Sequence, residues 1–318
     1  MYFDTAGIEI NPLIPPLVSF AISIFTSMGG VSGAFIILPF QMSVLGFVSP
    51  AVSSTNQLYN IVAIPSGVWR YIKEGRMVWP LTWIVVVGTL PGVLLGAIVR
   101  LNYFTNPKNF KFFAAFVLFY MGYRLVSDLF KNLKNKNNNS AKSAEDRFQE
   151  LIKSYRTQEK NSEKPLPRIK VIKFSLKQII YDFYGERYDI PALKIFTISL
   201  VVGIVGGIYG IGGGAIMAPI YVAFFKLPIY TVAGAALMGT FITSIAGVVF
   251  YQILAPFYPK LQVAPDYMLG FLFGIGGFLG MYCGARLQKF MSANFIKWVL
   301  AFCIFFLSTK YILEFLHK

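Results

Sequence analysis

The chain has 318 residues, of which 56% are hydrophobic and 14% are charged. A soluble globular domain carries about a quarter charged residues, so this composition excludes an ordinary soluble protein for most of the chain. The 29 Lys and Arg residues outnumber the 14 Asp and Glu residues, which gives a formal net charge of +15. The single His, at position 317, leaves no His triad or His-ligated metal centre inside the fold.

Apolar stretches recur along the chain at a length that suits a bilayer, whose core of about 30 Å needs roughly 20 residues per helix. The N-terminus has Asp4 and Glu9 but no Lys or Arg before the first stretch, so we expect that stretch to be a retained membrane span rather than a cleaved signal. The pattern predicts an all-α integral membrane protein. The stretches cover residues 13–29, 31–47, 51–69, 78–99, 110–130, 193–211, 214–225, 229–253, 267–287 and 294–316.

A polar connector at 131–192 separates a first membrane repeat at 1–130 from a second at 193–318. Residues 131–194 contain 15 Lys and Arg residues, which predicts that the connector is cytoplasmic. Within it, Phe148, Leu151, Ile152 and Tyr155 follow a helical spacing, which predicts a short amphipathic helix or a solvated linker helix.

Two landmarks recur in the same order in both halves, which predicts homologous repeats. At an offset of 180 the first landmark superimposes Gly30, Gly33 and Pro39 on Gly210, Gly213 and Pro219. At an offset of 188 the second superimposes Gly88, Gly92 and Gly96 on Gly276, Gly280 and Gly284. In the second landmark a glycine recurs every four residues. This spacing is typical of close helix packing, and pore lining is the alternative.

The first landmark predicts broken helices with an anion site between them. A helix interrupted in the membrane frees backbone groups that lipid cannot hydrogen-bond, and the N-terminus of the next helix attracts anions. The alternative is that these glycines only allow tight turns and close packing. The predicted substrate-binding backbone comprises Gly30, Ser32 and Gly33 in one motif and Gly212, Gly213 and Gly214 in the other.

Polar side chains after each motif are the predicted orienting groups, namely Asn56, Gln57 and Thr240. Interhelical hydrogen bonding and bonding back to the preceding helical turn are the alternative roles. No Asp or Glu falls near the middle of a predicted span, so a proton relay or sodium site is not supported. Arg100, Arg124 and Arg286 lie near segment ends, where we expect them to anchor the chain at the interface.

These residues resemble the sulfite exporter TauE/SafE family, also called the TSUP family. The resemblance rests on Gly-Ile-Gly-Gly-Gly-x-x-x-x-Pro at 210–219, its divergent copy at 30–39, and a GxxxGA sequence before a basic residue in each half. It covers both membrane halves but not the connector. It implies a multi-pass transporter that moves sulfite, organosulfonates such as sulfoacetate, or related sulfur anions across the cytoplasmic membrane, usually outward.

Two topologies follow from the glycine motifs. If each motif joins two crossing segments, each half has five, the halves are inverted, and Arg286 lies inside with Lys260 outside. If each motif is only re-entrant, each half has four and these positions are reversed. The basic residues favour the inverted 5+5 arrangement.

The leading hypothesis is therefore a transporter that works as an exporter, with a small anionic substrate and the lipid bilayer as its partners. An anion channel or facilitator and an uptake permease are alternatives, and a membrane-embedded enzyme is disfavoured because no acid, base or metal cluster is evident. We expect no catalytic residues, no cofactor, no metal and no nucleic-acid partner. The oligomeric state stays open, with a homodimer as one candidate.

Overall fold

The computed structural model describes residues 1–137, 169–175, 177–183, 186–225, 227–288, 291 and 293–316. The amphipathic helix predicted around Phe148 to Tyr155 lies outside these residues. Each predicted apolar stretch holds one helix of the described part. In chain order these are α1 (Ile14–Met28), α2 (Ala34–Ser43), α3 (Ala51–Lys73), α4 (Trp79–Tyr103), α5 (Pro107–Asn137), α6 (Ala192–Tyr209), α7 (Met217–Phe225), α8 (Ile229–Leu254), α9 (Tyr267–Leu287) and α10 (Ala293–Leu316).

The chain is mostly helical, but two small antiparallel sheets correct the prediction of an all-α fold. Strands β1 (Tyr2–Phe3) and β2 (Ile8–Glu9) form a hairpin at the N-terminus. Strands β3 (Lys170–Phe174), β4 (Gln178–Phe183) and β5 (Glu186–Pro191) form a meander inside the predicted connector. Tyr, Ile and Phe side chains favour paired strands, and β4 buries most of its residues.

Four helices of the described part are long and apolar enough to cross a membrane, and they cover Trp79–Tyr103, Ala192–Tyr209, Thr231–Phe257 and Tyr267–Leu287. Helices α1 and α2 are apolar but shorter. The long helices combine a buried face with exposed large apolar side chains such as Leu95, Val249 and Leu279. Such a surface suits contact with lipid. The chain has the architecture of a multi-pass membrane protein.

The bundle has two ends, which we name after residues in their loops. At the Arg76 end, Arg76 Nη1 donates to Gln288 Oε1 at 2.6 Å, and the backbone of Ile169, just before β3, bonds the carbonyl oxygen of Gly75 at 3.4 Å. At the Asp266 end, the Asp266 N–H donates to Thr55 Oγ1 at 2.8 Å and the Ala51 N–H to the carbonyl oxygen of Gln262 at 2.8 Å. The connector sheet therefore lies at the Arg76 end.

Helix directions follow from paired contacts along the bundle. Helices α1 and α9 run parallel towards the Arg76 end, because Gly276 contacts Pro16 and Gly284 contacts Ile24. Helix α3 runs the same way, since Gly270 contacts Leu58 and Gly274 contacts Val62. Helices α4, α6 and α8 run the opposite way. Helix α10 is antiparallel to α5, since Lys111 near the start of α5 pairs with Glu314 near the end of α10 at 2.5 Å. The end of α10 at Leu316 therefore lies at the Asp266 end, opposite the connector sheet.

Helices α1 and α2 form one helical hairpin, and α6 and α7 form another. Hairpin α1–α2 points its turn towards the Arg76 end, where Gln288 Nε2 donates to the Met28 carbonyl oxygen at 2.7 Å. Helix α2 then returns, and Ser43 Oγ donates to Glu314 Oε2 at 3.3 Å. Hairpin α6–α7 points its turn the other way, towards Ser53 at the start of α3. The two glycine motifs thus form the turns of two oppositely directed hairpins.

The second glycine row packs helices together, as the sequence predicted. A Cβ added at Gly92 or Gly96 on α4 would overlap the carbonyl oxygen of Leu200 or Ile204 on α6. A Cβ added at Gly280 or Gly284 on α9 would likewise overlap the carbonyl oxygen of Phe20 or Ile24 on α1. The partners in the second pair lie 180 positions before those in the first, so the contact between α4 and α6 is repeated by the contact between α9 and α1.

We predict that Gly92→Ala destabilises the protein, because the added methyl group overlaps backbone rather than a movable side chain. Overpacking of this kind costs about 1–3 kcal/mol. The matched control is Gly67→Ala on α3, where the nearest atom to the added Cβ is Met281 Cβ at 3.5 Å. Thermal unfolding in detergent should show a lower midpoint for Gly92→Ala and an equal or higher one for Gly67→Ala. Equal midpoints for Gly92→Ala and the unaltered protein would contradict the packing role.

Candidate functional site

The two hairpin turns rely on left-handed glycines. Gly30 has φ +67°, and Gly210 and Gly212 have φ +82° and +78°. Glycine adopts this region without the steric cost that other residues meet. At the end of α6, the N–H groups of Gly210 and Ile211 both donate to the carbonyl oxygen of Gly206, at 2.9 and 3.0 Å, which is a common way to close a helix at a left-handed glycine.

Each hairpin turn packs against a long helix of the other half. A Cβ at Gly30 would lie 2.5 Å from both Cα and Cβ of Ala233 on α8, and a Cβ at Gly210 would lie 2.5 Å from Cβ of Ser53 on α3. Ser53 and Ala233 are again 180 positions apart. The pair of contacts shows that the two turns reach into the same bundle from opposite sides and in matching ways.

Two buried Asn side chains of α3 connect the hairpins. Asn56 Nδ2 donates to the carbonyl oxygens of Ala34 and Gly210, at 3.0 and 3.1 Å. One helical turn later, Asn60 Nδ2 donates to the carbonyl oxygen of Ile211 at 3.0 Å. The amides satisfy the carbonyl groups of Gly210 and Ile211, which follow the end of α6, and Asn56 also bonds the first residue of α2.

Ser32 and Ser244 extend this network. Ser32 Oγ donates to Asn60 Oδ1 and accepts from the Ala34 N–H at 3.2 Å. Asn60 Nδ2 also donates to Ser244 Oγ on α8 at 3.1 Å. Asn60 therefore contacts the first turn, the second turn and α8, so it lies where the two hairpins meet.

The second turn is tightly packed on α8. A Cβ at Gly212 would lie 2.8 Å from Ser244 Oγ, and a Cβ at Gly214 would lie 2.5 Å from the backbone nitrogen of Thr240. The Gly213 N–H donates to Thr243 Oγ1 at 3.0 Å. Thr240 Oγ1 donates back to the Ala236 carbonyl oxygen at 2.9 Å. In this conformation the protein itself uses the Gly213 and Thr240 donors that were predicted for substrate.

The remaining predicted residues differ in what they face. A Cβ at Gly33 would lie 3.1 Å from Ser23 Oγ, and it would also overlap the Tyr59 hydroxyl, so Gly33 faces α1 and α3 rather than the second turn. Gln57 faces Gly247 on α8. Both polar atoms of the fully buried Gln57 amide, and Asn56 Oδ1, lack a hydrogen-bond partner. Buried polar atoms without partners are rare, so Gln57 is the predicted side chain best placed to bond a ligand.

Sequence reasoning missed Asn60 and misjudged Arg100. Asn60 lies four positions after Asn56, and this helical spacing alone places the two amides on one face of α3. Arg100 was expected to anchor the chain at the interface, but it is 0% exposed, so that expectation is wrong. Its guanidinium lies over the Phe110 ring at 3.8 Å. This contact joins two helices and could not be predicted from residue spacing.

The chemistry of the site is that of neutral amides, hydroxyls and backbone groups. Among the described residues, no Asp or Glu carboxylate is hydrogen-bonded to the loops at 29–33 and 210–216. Hydroxyl, amide and backbone N–H donors around helix starts suit an anionic ligand. The arrangement can bind and release such a ligand if the hairpins separate.

Comparison with known proteins supplies the family. The family model for sulfite exporter TauE/SafE matches residues 16–311, which include both hairpins and the long helices around them. Neither the curated proteins nor the solved structures that were compared with the chain gave a match. The family is one of membrane transporters for sulfite-type anions, which agrees with the multi-pass helical architecture and confirms the resemblance seen in the sequence. The chain belongs to the sulfite exporter TauE/SafE family.

Proposed function

We propose that this protein is a secondary transporter that exports sulfite or a small organosulfonate such as sulfoacetate across the cytoplasmic membrane. The observation that carries the proposal is the buried junction at which Asn56 and Asn60 bond both hairpin turns. Transporters of several folds bind substrate between discontinuous helices of two repeats. Family membership supports the anion class, and the junction supplies a place for the anion.

We further propose that the halves at 1–130 and 193–318 are inverted repeats. The reciprocal contacts of α1 with α9 and of α6 with α4 support this, as do the opposite directions of the two hairpins. Arg70, Lys73, Arg76 and Arg286 share the Arg76 end with the connector sheet, whereas Lys260 lies at the Asp266 end. Because basic residues concentrate on the cytoplasmic side, the Arg76 end is cytoplasmic in this proposal.

Substrate would bind between the turns and α8 once they separate, with Gln57, which faces Gly247 on α8, as a side-chain donor. Ser32, Thr240 and the backbone N–H groups of Gly30, Gly33 and 212–214 would complete the set of donors. The tight contacts at Gly30, Gly210 and Gly212 support a carrier that closes around its substrate rather than an open channel. An inside-negative potential favours anion exit by about 2.3 kcal/mol per charge at 100 mV, so export needs no separate ion site.

Purified protein in liposomes should transport labelled sulfite with saturable kinetics and should exchange internal for external substrate. Counter-exchange distinguishes a carrier from a channel, because only a carrier returns its site loaded. Flux of sulfite, sulfoacetate and taurine is to be compared with flux through empty liposomes. If no sulfur anion shows flux above that control, the proposed function is wrong.

Gln57→Leu is expected to raise the KM for sulfite about tenfold without lowering stability. A hydrogen bond to a charged group contributes about 1.5–3 kcal/mol, whereas an isosteric apolar replacement of an unpartnered buried amide leaves the fold intact. The matched control is Gln252→Leu, an exposed Gln near the end of α8. Unchanged KM in Gln57→Leu with normal flux would show that Gln57 does not contact substrate.

The inverted arrangement predicts that the C-terminus and the connector lie on opposite sides of the membrane. Alkaline phosphatase, which is active only outside the cytoplasm, should be active when fused after residue 318. A green fluorescent protein inserted at 138–145 should be fluorescent, because that segment is expected to be cytoplasmic. Reporters that place both sites on one side would rule out the inverted topology.

A further inference from the structure

Arg100 is a buried cation whose charge the described protein does not neutralise. It lies near the end of α4 and is 0% exposed. Among the residues that the structure describes, no carboxylate oxygen lies within 4.0 Å of its side-chain nitrogens. An unpaired buried charge costs several kcal/mol, so a residue in this state calls for an explanation.

The existing partners of Arg100 use only part of the guanidinium. Nη1 donates to the Phe104 carbonyl oxygen, and Nε donates to Ser53 Oγ at a long 3.4 Å. The Phe110 ring covers one face of the group at 3.8 Å. Nη2 is buried and has no hydrogen-bond partner. The guanidinium is thus held in place while one of its donor groups is left open.

Tyr251 adds a second open polar group at the same place. It belongs to one buried cluster with Ala97 and Leu101, which flank Arg100 on α4, and Ser53 is bonded by the same guanidinium. Its hydroxyl is buried and lacks a hydrogen-bond partner. Arg100, Ser53 and Tyr251 together form a cluster of donors without an anionic acceptor. A bound oxyanion would supply that acceptor.

The cluster adjoins the turn of hairpin α6–α7. Ser53, which Arg100 bonds, is also the residue on which Gly210 packs, with 2.6 Å between the position of a Gly210 Cβ and Ser53 Cα. Any movement of that turn away from α3 would uncover Ser53. The cluster therefore lies where an anion would enter or leave the junction at the Asp266 end.

We propose that Arg100, Ser53 and Tyr251 form a binding site for an oxyanion, such as the sulfite ion or a sulfonate group, at the Asp266 end of the transport path. The proposal rests on the proposed function and adds the positive charge that the neutral donors at the junction lack. The planar guanidinium of arginine binds oxyanions such as carboxylate and phosphate through paired N–H donors. Nη2 of Arg100 and the Tyr251 hydroxyl are the groups that remain open for such an ion.

The competing explanation is structural, since Arg100 also bonds a carbonyl oxygen at the end of its own helix, where a positive charge is favourable. Tyr251→Phe separates the two explanations. It removes one unpartnered hydroxyl, so a purely structural cluster should keep or gain stability and keep its KM. The anion site instead predicts that KM for sulfite rises about fivefold or more, the loss expected for a hydrogen bond to a charged group, while stability is retained.

Arg100→Lys and Arg100→Gln complete the test. We expect KM to rise about tenfold or more in both, because Lys keeps the charge but not the paired donors. Arg286→Gln and Tyr267→Phe are the matched controls, since both residues are exposed, and KM should stay within about twofold of the unaltered protein for changes outside a binding site.

A binding measurement keeps this inference separate from the transport proposal. Thermal unfolding in detergent is followed with and without sodium sulfite or sodium sulfate, at constant ionic strength set with sodium chloride. The unaltered protein should gain stability from the oxyanion, and Tyr251→Phe and Arg100→Lys should lose most of that gain. If transport is normal but these variants keep both KM and stabilisation, the anion site is wrong and the transporter stands. If no flux occurs but Arg100-dependent stabilisation persists, the transporter proposal fails and the anion site stands.

Discussion

The arrangement of this protein depends on satisfying backbone groups where two helices stop inside an apolar bundle. Lipid offers no hydrogen bonds there, so the protein must provide them. Asn56 donates to carbonyl oxygens of both hairpins, and Asn60 donates to the Ile211 carbonyl oxygen and accepts from the Ser32 hydroxyl. Because the same side chains serve both turns, the positions of the two hairpins are coupled through one face of α3.

Glycine contributes to this arrangement in two distinct ways. In the turns it supplies a backbone conformation that other residues adopt at a cost, as at Gly30 and Gly210. In the long rows it supplies the absence of a side chain, so that α4 and α9 approach the carbonyl groups of α6 and α1. Both uses leave little room between elements. In the proposed transport cycle, substrate passage would therefore require the hairpins to move as units rather than side chains to rotate alone.

Much of the architecture could be predicted because apolar length and glycine spacing are local properties of the sequence. The helix positions and the packing role of Gly88, Gly92 and Gly96 follow from such patterns. The meander β3–β5 could not be foreseen, because its charged composition resembles a solvated linker and its pairing is set by contacts between strands. The location of Arg100 was predicted wrongly for a related reason. Its place near a segment end suggested an interface, whereas burial depends on Phe110, Ser53 and Tyr251 arriving from other helices.

The candidate site was predictable in composition but not in geometry. Asn56 links the motif at 30–34 to Gly210, whereas residues 212–214 pack on other helices. Sequence alone gave no way to know that Asn60 forms the centre of the contact between the hairpins. Gly33 faces α1 and α3, and Gln57 faces α8, rather than the opposite turn. Whether a helical side chain points to a loop or to a neighbouring helix depends on the crossing of α3 and α8, which no spacing rule supplies.

The glycines of each half pack on a helix of the other half, and this arrangement has a consequence for biosynthesis. Helix α1 packs on the glycine-lined face of α9, which contacts it through residues 276–284. During synthesis α1 must therefore wait until most of the polypeptide has left the ribosome before its apolar surface is matched. Hairpin α1–α2 therefore reaches its final packing late. A chain truncated before α9 would leave α1 without the helix on which it packs.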